Sequence, residues 1–188
     1  MKKSFSAICV LLLLAAACNN EAATNNRPEL YQPAPTPDTS VWRTYTDSRV
    51  AFRYPADWRV SVGVDKETGH TVLSLRSNKK SFQSEGSSAI PIHINYGEDR
   101  YLGSIAAYIP DSEFREKSYK GMMEIGGKRA YIFQDFTVPE NHDFRVVFVN
   151  GLVFEFDSNA KSLEGTGTDQ EQVSNVFDIL LSSVQFRL

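Results

Sequence analysis

Three histidines, two cysteines and 23 carboxylates bound the chemistry open to this chain of 188 residues. His70, His93 and His142 are far apart and share no local zinc-ligand spacing, so only folding could gather them on a metal. His93 reads as an exposed or hydrogen-bonded strand residue, and His142 as a solvated residue in the Pro139 to Asp143 turn. Cys9 and Cys18 lie at the N-terminal end, which leaves the body of the chain without a thiolate nucleophile or thiolate ligand. No metal and no cofactor is therefore expected. Serines are plentiful, but no G-x-S-x-G elbow occurs, and Gly103-Ser104 lacks the surrounding pattern. Acid pairs are present in Glu98-Asp99 and in the separated Asp135 and Asp157. Glycosidase-type chemistry would need two carboxylates about 5 to 9 Å apart, one of them with a raised pKa. A hydrolase with carboxylates converging from separate strands thus stands as an alternative. Gly165-Thr166-Gly167-Thr168 precedes an expected helix and could offer amides to an anion, but it lacks the lysine and the upstream glycine of a P-loop.

The remaining cysteine chemistry is at the N-terminus. Lys2 and Lys3 precede an apolar run from Ala7 to Ala17, too short to cross about 30 Å of hydrocarbon and typical of a secretory signal. The run ends in Leu14-Ala15-Ala16-Ala17-Cys18, which resembles the lipobox of bacterial lipoproteins, with Ala15 where a larger aliphatic residue is usual. On that resemblance residues 1 to 17 are a signal peptide, and Cys18 is acylated and becomes the first mature residue. The alternative is ordinary cleavage that leaves Cys18 a free thiol. Cleavage also removes two of the 20 basic side chains and makes an already acidic chain, at a net charge of -3, more so. No long basic block occurs, and no nucleic-acid partner is expected. Several acyl chains contribute about 0.8 kcal/mol per buried CH₂ and would hold the protein on a membrane without spanning it. Asn19 after the cysteine resembles an outer-membrane address, facing the periplasm.

Residues 18 to 40 form a lipid-anchored linker, with Pro28, Pro33, Pro35 and Pro37 among small and polar residues. Residues 41 to 188 form a single globular domain. Val50 to Tyr54 alternates and ends at Pro55, giving a strand and then a corner at Pro55-Ala56-Asp57-Trp58. Val60 to Val64 and Thr71 to Leu75 predict a hairpin around Asp65 to Gly69, and the polar Ser77 to Ser88 predicts an exposed loop. Ala89 to Tyr96 puts Ile90, Ile92, Ile94 and Tyr96 on one face. Asp99 to Ile109 is ambiguous, and Asp111 to Tyr119 is compatible with a helix. Gly126-Gly127 marks a turn before the alternating Arg129 to Phe133. Phe144 to Val149 is apolar on nearly both sides, as a covered central strand should be, and Asn150-Gly151 turns it back into Leu152 to Phe156. Thr168-Asp169-Gln170-Glu171 reads as a capping box. It opens a helix whose Val173, Val176, Phe177, Leu180 and Leu181 form one stripe. Val184 to Leu188 predicts a last short strand.

Phe52-Arg53-Tyr54-Pro55-Ala56-Asp57-Trp58-Arg59-Val60 resembles the opening motif of PsbP-like domains. The later Gly127 to Tyr131 segment, the Phe144 to Phe156 hairpin, the final helix and Ser183-Val184-Gln185-Phe186 are similar in order and spacing to the same family. The resemblance implies an α/β fold, an α/β/α sandwich around a central, mostly antiparallel sheet, a fold shared with a Ran-binding nuclear import factor. Both relatives use it as a binding or assembly module, so the implied role is noncatalytic. No metal ligand or partner contact carries over to a numbered residue.

Trp58 and Tyr54 fit core and corner packing. Any part of them left exposed beside Arg53 or Arg59 would form a protein-binding patch. Taken together, these features point to a membrane-anchored envelope lipoprotein that binds or assembles with an envelope protein, and the alternatives are a passive structural lipoprotein or the hydrolase-type enzyme.

Overall fold

Alternation of apolar and polar side chains dictates most of this architecture, because each strand must bury one face and each helix one stripe. The computed structural model describes residues 38–78, 92–134, 143–158 and 167–187. The expected signal peptide, Cys18 and nearly all of the expected linker lie outside them, as do most of the expected Ser77 to Ser88 loop, Asp135 and His142. Among the described residues no helix is long and apolar enough to cross a membrane.

A 3-10 turn, Thr39–Val41, leads into β1 (Arg43–Thr46) and β2 (Val50–Tyr54). The corner at Pro55 follows, then β3 (Trp58–Val64), β4 (Thr71–Ser77) and β5 (Ile92–Glu98). Two short helices, α1 (Ile105–Tyr108) and α2 (Ser112–Ser118), precede β6 (Tyr119–Ile125), β7 (Lys128–Gln134), β8 (Asp143–Val149) and β9 (Leu152–Ser158). The chain closes with α3 (Gly167–Ser182) and β10 (Gln185–Phe186). β3 to β9 make a seven-stranded sheet in the order β3-β4-β5-β9-β8-β7-β6, antiparallel at every pairing. β1, β2 and β10 make a second, three-stranded sheet.

Helices cover both faces of the large sheet, as the expected sandwich requires. On one face α3 and the small sheet close over Leu73, Leu75, Ile92, Ile94, Phe154 and Phe156, all fully buried. The predicted stripe of α3 forms that contact, with Val173, Val176, Phe177, Leu180 and Leu181 at 3% exposure or less. On the other face Ile105, Tyr108, Ile109 and Phe114 of the α1–α2 region pack on Phe133, Val146 and Val153. β8 is thus interior and covered on both sides, with Val146 and Val147 both fully buried.

The turns follow the local chemistry. Asn150 and Gly151 take φ of 48° and 75°, and Gly126 and Gly127 take 55° and 73°, the left-handed pairs a two-residue antiparallel turn needs. Asp111 caps α2 by accepting from the Phe114 amide at 3.0 Å. Ser104 does the same for α1 through the Ala107 amide at 3.3 Å, which settles the ambiguous stretch as a turn and a single helical turn.

Two details differ from expectation. Ser77 closes β4 as a buried residue opposite Trp58 rather than opening an exposed loop. α3 begins at Gly167, so Thr168 lies inside the helix and not before it. The β2 segment does not join the large sheet at all. The tight Pro55 corner sends the chain from one sheet into the other.

Candidate binding cleft and the polar face of the sheet

The chain has two tryptophans, and both line one cleft of about 300 Å³. Trp42 follows the 3-10 turn, and Trp58 opens β3. Pro55, Ala56 and Asp57 form the corner on one wall, Gln172 and Val176 of α3 form another, and Asp38 and Val41 form the rim. Trp58 is 4% exposed and belongs to the core, while Val41 stands 65% exposed at the mouth. Among the described residues the charged ones lining it are the two aspartates. The hydroxyl and amide of Ser40 hold the Asp38 carboxyl below its usual range, so it is ionised at neutral pH.

The anticipated patch is divided by this geometry. Tyr54 is half-buried, edge-on to Phe52 with centroids 6.3 Å apart, and does not line the cleft. Arg53 is exposed on the other face of β2, where Nη2 donates to the Thr39 carbonyl at 2.5 Å. It thereby fixes the turn that carries Val41. Arg59 lies one residue beyond Trp58 on a strand and so points to the opposite face, opposite Arg76. Trp58 therefore lines the cleft, Arg53 braces its rim through Thr39 without lining it, and Arg59 does not join them.

That opposite face carries the polar chemistry. The register puts Ser74 opposite His93 and His93 opposite Asp157, so three adjacent strands present a serine, a histidine and an aspartate in one row. Ser74 Oγ is 3.5 Å from His93 Nδ1, the outer limit of a hydrogen bond. β4 is paired on both sides, so its backbone amides are used by the ladders and none is left to form an oxyanion hole beside Ser74. In the next row Asn95 faces Glu155, with Asn95 Oδ1 buried and unpartnered. Tyr108 Oη donates to Glu155 Oε2, and burial followed by the Glu155 charge pushes its pKa well above the tyrosine range. His70 leans its ring over Gly97, where a Cβ would come within 2.0 Å of the imidazole Cδ2. Asp99 is a turn residue, accepting from the Tyr101 and Gly103 amides at 2.8 and 2.6 Å, and Glu98 is exposed at the end of β5. Among the described residues no group of three or more histidine, cysteine or acidic side chains is placed to hold a metal.

Sequence reading missed Arg145. It stands on the core-facing side of β8, in line with Val147 and Val149, with its guanidinium carbon 5.9 Å from the Phe177 ring centroid. Nη1 donates to the Phe144 carbonyl at 3.1 Å, and Nε is buried without a partner. Burial lowers its pKa, opposed by Asp143 and Asp178, while burial raises that of Asp178 against the pull of Arg145. The available signal was the odd charge in an apolar run. Neither Asp143 nor Asp178 lines a described cleft; the second cleft, about 230 Å³, lies at Ile105, Arg115, Glu116, Tyr119, Tyr131 and Phe133.

The architecture is that of an antiparallel α/β sandwich, in the element order expected from the resemblance to PsbP-like domains. No family model matches the sequence, and no curated protein matches it. Among solved structures the chain is similar to cyanobacterial PsbP (CyanoP) from Synechocystis sp. PCC 6803, at 13% identity and a TM-score of 0.48, over 78% of this chain and 92% of that one. It is also similar to a protein from Bacteroides thetaiotaomicron, at 13% identity and a TM-score of 0.40, over 74% of this chain and 45% of that one.

Proposed function

We propose that this protein is a noncatalytic binding or assembly module, anchored through acylated Cys18 to the outer membrane of a bacterial envelope and facing the periplasm, where it engages an envelope protein. The observation that carries the binding role is the cleft holding both tryptophans, with two acidic residues and no basic one among its described lining residues. Aromatic walls favour an apolar or proline-containing extended segment, and the rim charge favours lysine or arginine on either side of it. The partner is therefore an envelope protein that offers a basic-flanked apolar segment. A hydrolytic role is less well supported, because the Ser74, His93 and Asp157 row lacks free amides where an oxyanion would form.

In-cell crosslinking followed by mass spectrometry tests both halves. The parent chain is expected to crosslink one partner through a basic-flanked apolar segment. Val41→Asp with Asp57→Lys should cut that yield at least tenfold while the domain stays folded, since both residues lie at the surface. Cys18→Ala should abolish fatty-acid labelling and release the protein from membranes. A crosslink that survives the cleft substitutions removes the cleft from the reading, and labelling that survives Cys18→Ala removes the anchor.

A further inference from the structure

The two edges of the large sheet are unequal. β6 is blunted by a bulge between Tyr119 and Gly121 and carries the exposed charges of Lys120 and Glu124. Bulges and charges are the usual protection against pairing with a foreign strand. At the other edge, β3 runs Val60-Ser61-Val62-Gly63-Val64 with no charge, no proline and a register unbroken along β4. Val62 and Val64 are 61% and 67% exposed.

The turn fixes which backbone groups face outward. Asp65 donates its amide to the His70 carbonyl at 2.9 Å and accepts from the Gly69 amide at 2.8 Å, so its polar groups face β4. By the alternation of an antiparallel ladder Gly63, Ser61 and Arg59 face β4 as well, and Val60, Val62 and Val64 direct their amides and carbonyls to the outer edge, which pairs with no strand among the described residues.

We propose that this edge pairs with β3 of a second copy of the chain, antiparallel about a two-fold axis through Val62. In that register Val62 opposes Val62 of the second copy, and Val60 opposes Val64, so outward-facing residues meet outward-facing residues and about six backbone hydrogen bonds form. The exposed valines become β-branched cross-strand pairs on one face. On the other face Arg59 falls opposite Asp65 of the second copy, and Asp65 opposite Arg59, so the charges bounding the neutral stretch are complementary at both ends. This match is what commits the edge to a second copy, since an unrelated strand has no reason to supply both charges at that spacing. Joining the edges makes one continuous sheet of fourteen strands, twice the seven of each copy.

The register is read out by cysteine substitution in the full chain, with the parent and its own Cys9 and Cys18 as background. Val62→Cys is expected to give a disulfide-linked dimer on mild oxidation, because opposed Cα atoms in such a pair lie about 5.5 Å apart. Val60→Cys alone should give no more than background, its counterpart being displaced about 13 Å along the strand. Mixing Val60→Cys with Val64→Cys should restore the crosslink. Val62→Lys puts like charges directly opposite each other, and Arg59→Glu sets two acids together. Each should weaken association at least tenfold in sedimentation velocity. A parent chain that stays monomeric at high micromolar concentration overturns the proposal, as does equal crosslinking by Val60→Cys and Val62→Cys, or association indifferent to Val62→Lys. Arg59, Val62 and Val64 are exposed and Val60→Cys is a small change at a half-buried position, so circular dichroism should be unchanged in each variant.

Discussion

Phe154→Ala is expected to cost about 3 to 5 kcal/mol, enough to consume much of the stability of a domain this size. Phe154 is fully buried in β9, stacked on Tyr96 of β5 at 5.4 Å and edge-on to Phe186 of β10 at 4.7 Å. Truncation removes its transfer free energy and leaves a void lined by residues from both sheets. β9 is held in register on both sides, so the backbone cannot close that void by moving inward. Chemical denaturation at neutral pH should show a midpoint shift of that size with an unchanged slope. The same measurement on Met122→Ala, at an exposed position of β6, should move by less than about 0.5 kcal/mol. A Phe154→Ala loss below about 1.5 kcal/mol would mean that the two sheets do not pack through this residue.

The elements that were legible are those where one physical requirement dominates. The Asn150-Gly151 hairpin could be read because positive φ at two successive residues leaves few sequences to choose from. The stripe of α3 could be read because its spacing fits no strand, and β8 because it is apolar on both sides. The small sheet was not legible. Its pairing of Ala51 with Gln185 and of Val50 with Phe186 is a contact between the two ends of the domain, which no local pattern encodes. Arg145 escaped for a related reason, since its neighbours Phe177 and Asp178 come from α3.

The site was less legible than the fold. Trp58 was visible as a corner residue, but its partners in the cleft arrive from the 3-10 turn and from α3, so a reading along β2 and β3 grouped it with Arg59, which alternation sends to the other face. The row of Ser74, His93 and Asp157 depends on the registers of three strands, and a slip of one residue in either pairing would disperse it. That row was therefore invisible before the sheet order was known, although each member was in plain view.

Asp47→Ala is expected to cost about 1 to 3 kcal/mol at pH 7, because one carboxylate ties the small sheet to the large one. Oδ1 accepts from the Arg49 and Val50 amides at 2.7 and 2.8 Å, closing the β1–β2 turn. Oδ2 accepts from the Tyr45 and Tyr96 hydroxyls at 2.9 and 2.5 Å, and Tyr96 belongs to β5. Burial of Tyr96, with this hydrogen bond and the charge of Asp47, pushes its pKa up to about 12, so the phenol remains a donor across the physiological range. For Asp47 burial works in the opposite direction to the four hydrogen bonds, and the bonds win, leaving its pKa below the usual carboxylate value. A depressed folded pKa means that the unfolded chain takes up the proton first. The contribution is complete above about pH 5, begins to fall as pH drops through the unfolded value near 4, and is lost once pH passes below the folded value. Asp47→Asn mimics the protonated acid and keeps an oxygen for the two backbone amides, so it should cost less than Asp47→Ala at pH 7. Its deficit against the parent should also shrink steadily between about pH 5 and pH 2, where the parent loses the same charge. Denaturation midpoints of the three proteins across that range measure this directly. A deficit for Asp47→Asn that stays constant down to about pH 2 would assign the contribution to shape rather than charge, and would make the two tyrosine hydroxyls bystanders in joining the sheets.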